Sequence, residues 1–148
     1  MPEAPPAPRL VLGFDYGLRR IGAACGDTLS GTASPLKTVA NGPDGPRWSE
    51  IDAFVRDWQP GLAVVGLPYN ADGSESAGGA AARGFAAALA GRYGLPVELV
   101  DERYSSLEAG ERLRAARASG QRRRRVAKTD VDAAAACVIL ERWIVEHS

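Results

Sequence analysis

Apolar and polar positions along this chain fall into blocks that predict strands and helices before any other property is considered. Leu10–Asp15 and Ile21–Gly26 are short apolar runs joined by Tyr16-Gly17-Leu18-Arg19-Arg20. A connection that short makes a hairpin rather than a crossover, so the first two strands should be antiparallel neighbours. Ala33–Val39 predicts a third strand, and Pro35, which has no N–H for a ladder, favours an edge position. Asn41–Pro46, NGPDGP, is dense turn chemistry. In Ser49–Trp58 the apolar residues Ile51, Phe54, Val55 and Trp58 recur at helical spacing, with Ser49 placed to cap the start and Pro60 to stop the end. Leu62–Leu67 is a continuous apolar run of the kind buried on both faces of a parallel sheet.

The second half continues in the same way. Ser76–Arg92 is Ala-rich and reads as a helix despite Gly78, Gly79 and Gly84, with Gly94 as its C-terminal cap. Val97–Val100 predicts a fifth strand that runs directly into Asp101-Glu102-Arg103. Ser105 with Glu108 forms a capping-box signature, so a further helix should begin near Ser106 and fade near Gly120. Val131–Glu146 is a helix with Ala135, Val138, Ile139 and Trp143 on a broad apolar side, and Thr129 or Asp130 can cap it. The order β-β-β-α-β-α-β-α-α predicts an α/β fold. Its mixed five-stranded sheet has three antiparallel strands, then two parallel ones, flanked by helices.

Composition narrows the class. At 148 residues and 45% hydrophobic, the chain suits a single domain over 9–148, behind a Pro- and Ala-rich lead-in at residues 1–8 that is expected to be disordered. No apolar run approaches the ~20 residues that cross a bilayer, and the N-terminus lacks the apolar centre of a secretion signal, so a cytoplasmic protein without a membrane partner is expected. Cys25 and Cys137 lie in apolar surroundings with no CxxC, and His147 is the one histidine. Buried reduced thiols are therefore expected rather than a zinc site or a disulfide.

Charge changes the picture further. The net charge of zero hides a segment from Arg112 to Lys128 that holds eight basic residues and no acidic one, including Arg122, Arg123, Arg124 and Arg125. Such a stripe either docks a polyanion or is a solvated surface loop.

Three carboxylates carry the candidate chemistry. Asp15 closes the first strand, Glu102 follows the fifth and Asp132 lies in the first turn of the last helix. All three elements should end or begin at the carboxyl edge of the sheet, where open α/β folds bind ligands. Converging carboxylates repel one another unless a cation is present, and hard oxygen donors suit Mg²⁺ or Mn²⁺. Two such ions can activate water and stabilise the leaving oxygen in phosphodiester cleavage. The plainer alternative is structural, with Asp132 on its helix dipole, Glu102 paired with Arg103 and Asp15 in a surface ion pair.

The strings GFDYGLRRIG (13–22), VVGLPYNADGSES (64–76), VELVDERYSSLEA (97–109) and KTDVDAAAACVILERW (128–143) resemble the YqgF/RuvX family. Four motifs in order over residues 10–146 are far more specific than any one. The resemblance implies an RNase H-like fold and a metal-dependent nuclease, associated with maturation of the 5′ end of pre-16S rRNA and also proposed to resolve Holliday junctions. It implies catalytic and metal-binding roles for Asp15, Glu102 and Asp132, with Asp130 competing for the last position and Asp101 a weaker competitor for Glu102. Arg19, Arg20, Asn70, Arg103 and Lys128 are then candidates for contact with nucleic acid, and the stretch before Lys128, more Arg-rich than the common family pattern, adds Arg122–Arg125 as backbone-binding candidates by their charge. For Asn70 and Asp72 an Asx turn competes, and Ser105 and Ser106 are most simply caps. Trp48 and Trp58 read as packing residues, Trp48 being the more open of the two.

Partners implied are pre-rRNA or branched DNA, with the ribosome as a further candidate, and either a monomer or a homodimer fits. Gly13–Ile21 also resembles the first phosphate turn of actin-like and sugar-kinase ATPases, but those enzymes close two such domains around a nucleotide. A non-catalytic rRNA binder would keep the basic segment and need no carboxylates.

Overall fold

Hydrogen bonding places the first two strands at the centre of the sheet. β1 (Leu10–Tyr16) and β2 (Arg20–Asp27) pair antiparallel with Asp15 opposite Gly22, and β3 (Thr32–Gly42) adds antiparallel to β2. The computed structural model describes the backbone of residues 9–67, 77–101 and 128–147. On the other side of β1 lie β5 (Leu62–Leu67) and β6 (Val97–Asp101), both parallel, and with a two-residue strand β4 (Gly45–Pro46) outside β3 the order is β4-β3-β2-β1-β5-β6. The five predicted strands are all present with the predicted directions. The sixth, β4 (Gly45–Pro46), pairs with Asn41–Gly42 and makes the NGPDGP turn a two-residue hairpin, with Gly45 at φ +95°.

Pro35 lies on β3, which outside its short pairing with β4 is the sheet's edge, and beside Pro35 the register slips so that Leu36 bulges out of the ladder. α1 (Trp48–Trp58) begins one residue earlier than the spacing suggests. Arg47 occupies the cap position without a side-chain hydrogen bond, so Ser49 sits inside the first turn and is not the cap. The helix stops at Gln59, whose left-handed φ of 45° precedes Pro60. α2 (Ala77–Tyr93) ends as predicted at Gly94, φ +65°.

The last described helix, α3 (Lys128–Glu146), starts three residues earlier than predicted. Thr129 and Asp130 therefore belong to its first turn rather than capping it, and Asp132 opens the second. The helix proposed from Ser106 to Gly120 and the lead-in 1–8 lie outside the described residues.

Alternation along the strands sorts the core into two layers. Leu12 and Phe14 of β1, Ile21 and Ala23 of β2, and Val65 of β5 pack with Ile51 of α1 and Phe85 and Leu89 of α2. Val11, Ala24, Leu62 and Val64 face the opposite way, against Ala136, Ile139, Leu140 and Trp143 of α3. Both crossover helices thus cover one face and, among the described residues, α3 covers the other, as right-handed connections in a single direction require. Cys25 and Cys137 are buried thiols on opposite faces, neither in a disulfide, and burial pushes the Cys25 thiol up.

Candidate active site

Period-two alternation puts Asp15 on the face of α3, because Phe14 and Tyr16 on either side of it belong to the other layer. In register, Asp15 lies beside Gly66, and Gly66 beside Val100. These positions mark the carboxyl edge of three parallel strands. β2 begins at the same edge with Arg20, and α3 brings its N-terminal end there.

The helix reaches the sheet closely because β2 offers no side chain at the contact. A Cβ on Gly22 would lie 1.9 Å from the Asp132 carbonyl oxygen, so only glycine lets the helix backbone rest on the strand. Gly22 is itself the residue directly opposite Asp15. Opposed residues in an antiparallel pair have Cα atoms about 4.5–5.5 Å apart. The Asp132 backbone therefore sits one strand away from Asp15. Further along, Gly13 makes room for Leu140, whose Cγ a Cβ would meet at 2.4 Å. The far end of α3 is held by Trp143, whose indole N–H donates to Glu98 of β6, and His147 stacks on that indole at 4.4 Å.

Asp132 is not left to solvent. Arg20 Nε donates to its Oδ2 at 2.7 Å, with both side chains partly exposed. The arginine proposed as a phosphate ligand thus has a partner within the chain. Arg19 is exposed on the connecting turn beside Leu18. The turn is braced by Asn41, the one buried polar residue among the described residues, whose side-chain N–H donates to the Gly17 carbonyl at 2.8 Å. Its own amide donates to the Arg19 carbonyl at 2.9 Å.

Of the predicted site residues, the structure brings Asp15, Asp132 and Arg20 to one edge and one face. Lys128 opens α3. Glu102, Asn70, Arg103 and Arg122–Arg125 lie outside the described residues, although Glu98 and Val100, on β6, lie on the Asp15 face. Asp15 and Asp132 supply the hard oxygen donors that Mg²⁺ or Mn²⁺ takes, but among the described residues no group of three potential ligands gathers to hold a metal. The surface depression over Glu141, Arg142, Val145 and Glu146 lies at the opposite end of α3 from Asp132. Sequence reasoning passed over Gly22 and Asn41. A glycine inside an otherwise apolar strand is the available signal for the first, since it often marks close backbone approach; the second carried none beyond its place in a turn-rich segment.

Trp48 is a packing residue. Its ring stacks on Phe85 at 5.7 Å and carries the Arg92 guanidinium 4.8 Å above it. Among the described residues no helix is long and apolar enough to cross a membrane.

Comparison with known proteins agrees with this architecture. A protein of Nitrosococcus oceani, provisionally named pre-16S rRNA nuclease, is 46% identical over 97% of this chain and 91% of its own length. One of Edwardsiella ictaluri with the same provisional name is 46% identical over 92% and 94%. The RuvC structure from T. thermophilus, in complex with a Holliday junction substrate, superposes with a TM-score of 0.55 at 21% identity, covering 93% of this chain and 94% of that one. That likeness shows a shared RNase H-like fold. The profile of one family, RuvX, described as Holliday junction resolvase, matches residues 9–146. The chain belongs to the RuvX family.

Proposed function

We propose that this protein is a divalent-metal-dependent nuclease that hydrolyses phosphodiester bonds in structured nucleic acid, processing the 5′ end of pre-16S rRNA in the cytoplasm. The observation that carries this reading is the docking of Asp132 over Gly22, directly opposite Asp15, which gathers two carboxylates at the carboxyl edge of the sheet. Family membership and the nuclease names of relatives support the reaction class. Glu102 is the third carboxylate in this reading, one residue beyond β6, with Asp132 preferred to Asp130. Residues two apart on a helix do not face the same way, and Asp132 is the one turned to β2.

A bound Mg²⁺ or Mn²⁺ would activate water for attack on phosphorus and neutralise the leaving oxygen. The chain's own part is to hold carboxylate oxygens at one edge, and to present Arg19 on the adjoining turn to the phosphate backbone. Asn70, Arg103, Arg122–Arg125 and Lys128 extend that contact along the substrate, with the ribosome precursor as partner.

Cleavage of Holliday junctions by the same residues is the second reading. It is favoured by the RuvX description and by the fold shared with a RuvC bound to such a junction. Symmetric cutting of a junction would call for a homodimer rather than a monomer. The test is a side-by-side assay of a precursor rRNA 5′ leader and a synthetic four-way junction with Mn²⁺. The leader should be cut, and Asp15→Asn should lower the rate at least ~100-fold while circular dichroism stays unchanged. Cutting of the junction alone would transfer the function to the second reading, and binding without Mn²⁺-dependent cutting would reduce the protein to an rRNA-binding module.

A further inference from the structure

Two residues of one strand grip the start of α3 in different ways. Gly22 receives its backbone, at the Asp132 carbonyl, and Arg20 receives its carboxylate, through Nε to Oδ2 at 2.7 Å. Arg20 and Gly22 are two apart on β2 and therefore share the face that carries α3. The backbone contact fixes where the Asp132 Cα lies but leaves its side chain free to rotate. The ion pair removes that freedom.

We propose that Arg20 is a positioning residue of the metal site, orienting the Asp132 carboxylate so that Oδ1 is presented to a divalent cation. The inference rests on the reading of Asp132 as a metal ligand. A short charge-assisted hydrogen bond to one carboxylate oxygen sets the orientation of the other, and partners of this kind behind ligating carboxylates commonly sustain ~10–100-fold of metal affinity or activity. The guanidinium also offsets the repulsion between Asp132 and Asp15 before a cation arrives, so the helix start stays docked in the metal-free protein. Arg20 acts through Asp132 rather than on the substrate, which separates it from the exposed Arg19 on the same turn.

The experiment measures Mn²⁺ binding by calorimetry to the full chain without nucleic acid, alongside cleavage kinetics at limiting and saturating Mn²⁺. Arg20→Ala should weaken Mn²⁺ binding ~10–100-fold. Its KM for nucleic acid should stay near wild type, and its kcat should return toward wild type once Mn²⁺ is saturating. Arg20→Lys, which keeps the charge and one donor, should recover part of the affinity. Circular dichroism and urea unfolding of each variant separate a shifted helix from a lost fold, and Arg20→Lys serves for the binding measurement should Arg20→Ala unfold. Unchanged or tighter Mn²⁺ binding in Arg20→Ala, or a raised KM with normal Mn²⁺ affinity, would overturn the assignment. Wild-type Mn²⁺ affinity in Asp132→Asn would instead remove Asp132 from the ligand set, a failure of the underlying reading that the Arg20 variants alone would not produce.

Discussion

Asp15 and Phe14 are neighbours in sequence and belong to different environments, because adjacent strand residues point to opposite faces. Phe14 meets Phe85 edge-on at 5.5 Å in the layer covered by α2, while Asp15 faces the α3 side at the sheet edge. On the α1 and α2 side a polar group of a different kind is held: Tyr93 donates its hydroxyl hydrogen to Asp52, which Arg92 also approaches at 3.4 Å. Burial, followed by the bond to Asp52, pushes the Tyr93 phenol up to about 12. An unperturbed tyrosine titrates at about 10. The folded state therefore keeps the proton that the unfolded chain gives up. This contribution to stability is complete below pH 10 and is lost as the pH rises through 12. A tyrosinate absorbance component near pH 12 should be seen in the native protein and be missing from Tyr93→Phe. Its persistence in the variant would assign it to another tyrosine. None of this was legible in the sequence, since Asp52 and Tyr93 are 41 residues apart and meet only when both helices lie on one face.

Helix α3 shows how an element's apolar period and its docking contribute separately. The period identified the helix and its buried side, on which Ile139 and Trp143 pack on the sheet while Ala135 and Val138 form a separate buried cluster, but it placed the start at Val131. Lys128-Thr129-Asp130 is polar and gives no apolar signal, so the first turn was invisible to a pattern of buried positions. What sets that end is the seat on Gly22. Gly22→Ala puts a Cβ against backbone rather than against a flexible side chain. The helix start must move, at a cost of about 1–3 kcal/mol or more in urea unfolding. Faster amide exchange in the first turns of α3 should accompany it, with the Leu140 seat on Gly13 retained. An unchanged stability would mean that Asp132 does not lie on β2. By contrast the ends of α1 and α2 were readable locally, because Pro60 and Gly94 act through backbone geometry that needs no distant partner.

Across the molecule, the proposed catalytic groups and the basic residues are distributed unevenly. Asp15 and Asp132 belong to the edge where β1, β5 and β6 end, and Arg122–Arg125 precede in sequence α3, whose start lies at that same edge. Replacing these four arginines with glutamine should weaken nucleic-acid binding and reduce the slope of log affinity against log salt by roughly 3. Discrimination between sequences should be nearly unaffected, because phosphate contacts position a protein without reading bases. Fluorescence anisotropy over a range of salt concentrations measures the slope, and a slope equal to that of the wild type would return the segment to a solvated loop.

The order of the described elements apart from β4, the antiparallel-then-parallel sheet and the family could be read from the chain alone, since apolar periodicity, short connections and motif order are local properties. Asp15 could likewise be singled out as a charge closing an apolar strand. Only the tertiary structure decided that the Asp132 backbone lies over the glycine opposite that charge, that Arg20 holds the Asp132 carboxylate and that Asn41 braces the turn between Asp15 and Arg20. Those relations join residues as far as 112 positions apart. They depend on how closely a helix can approach a strand, which is a matter of atomic volume at one glycine.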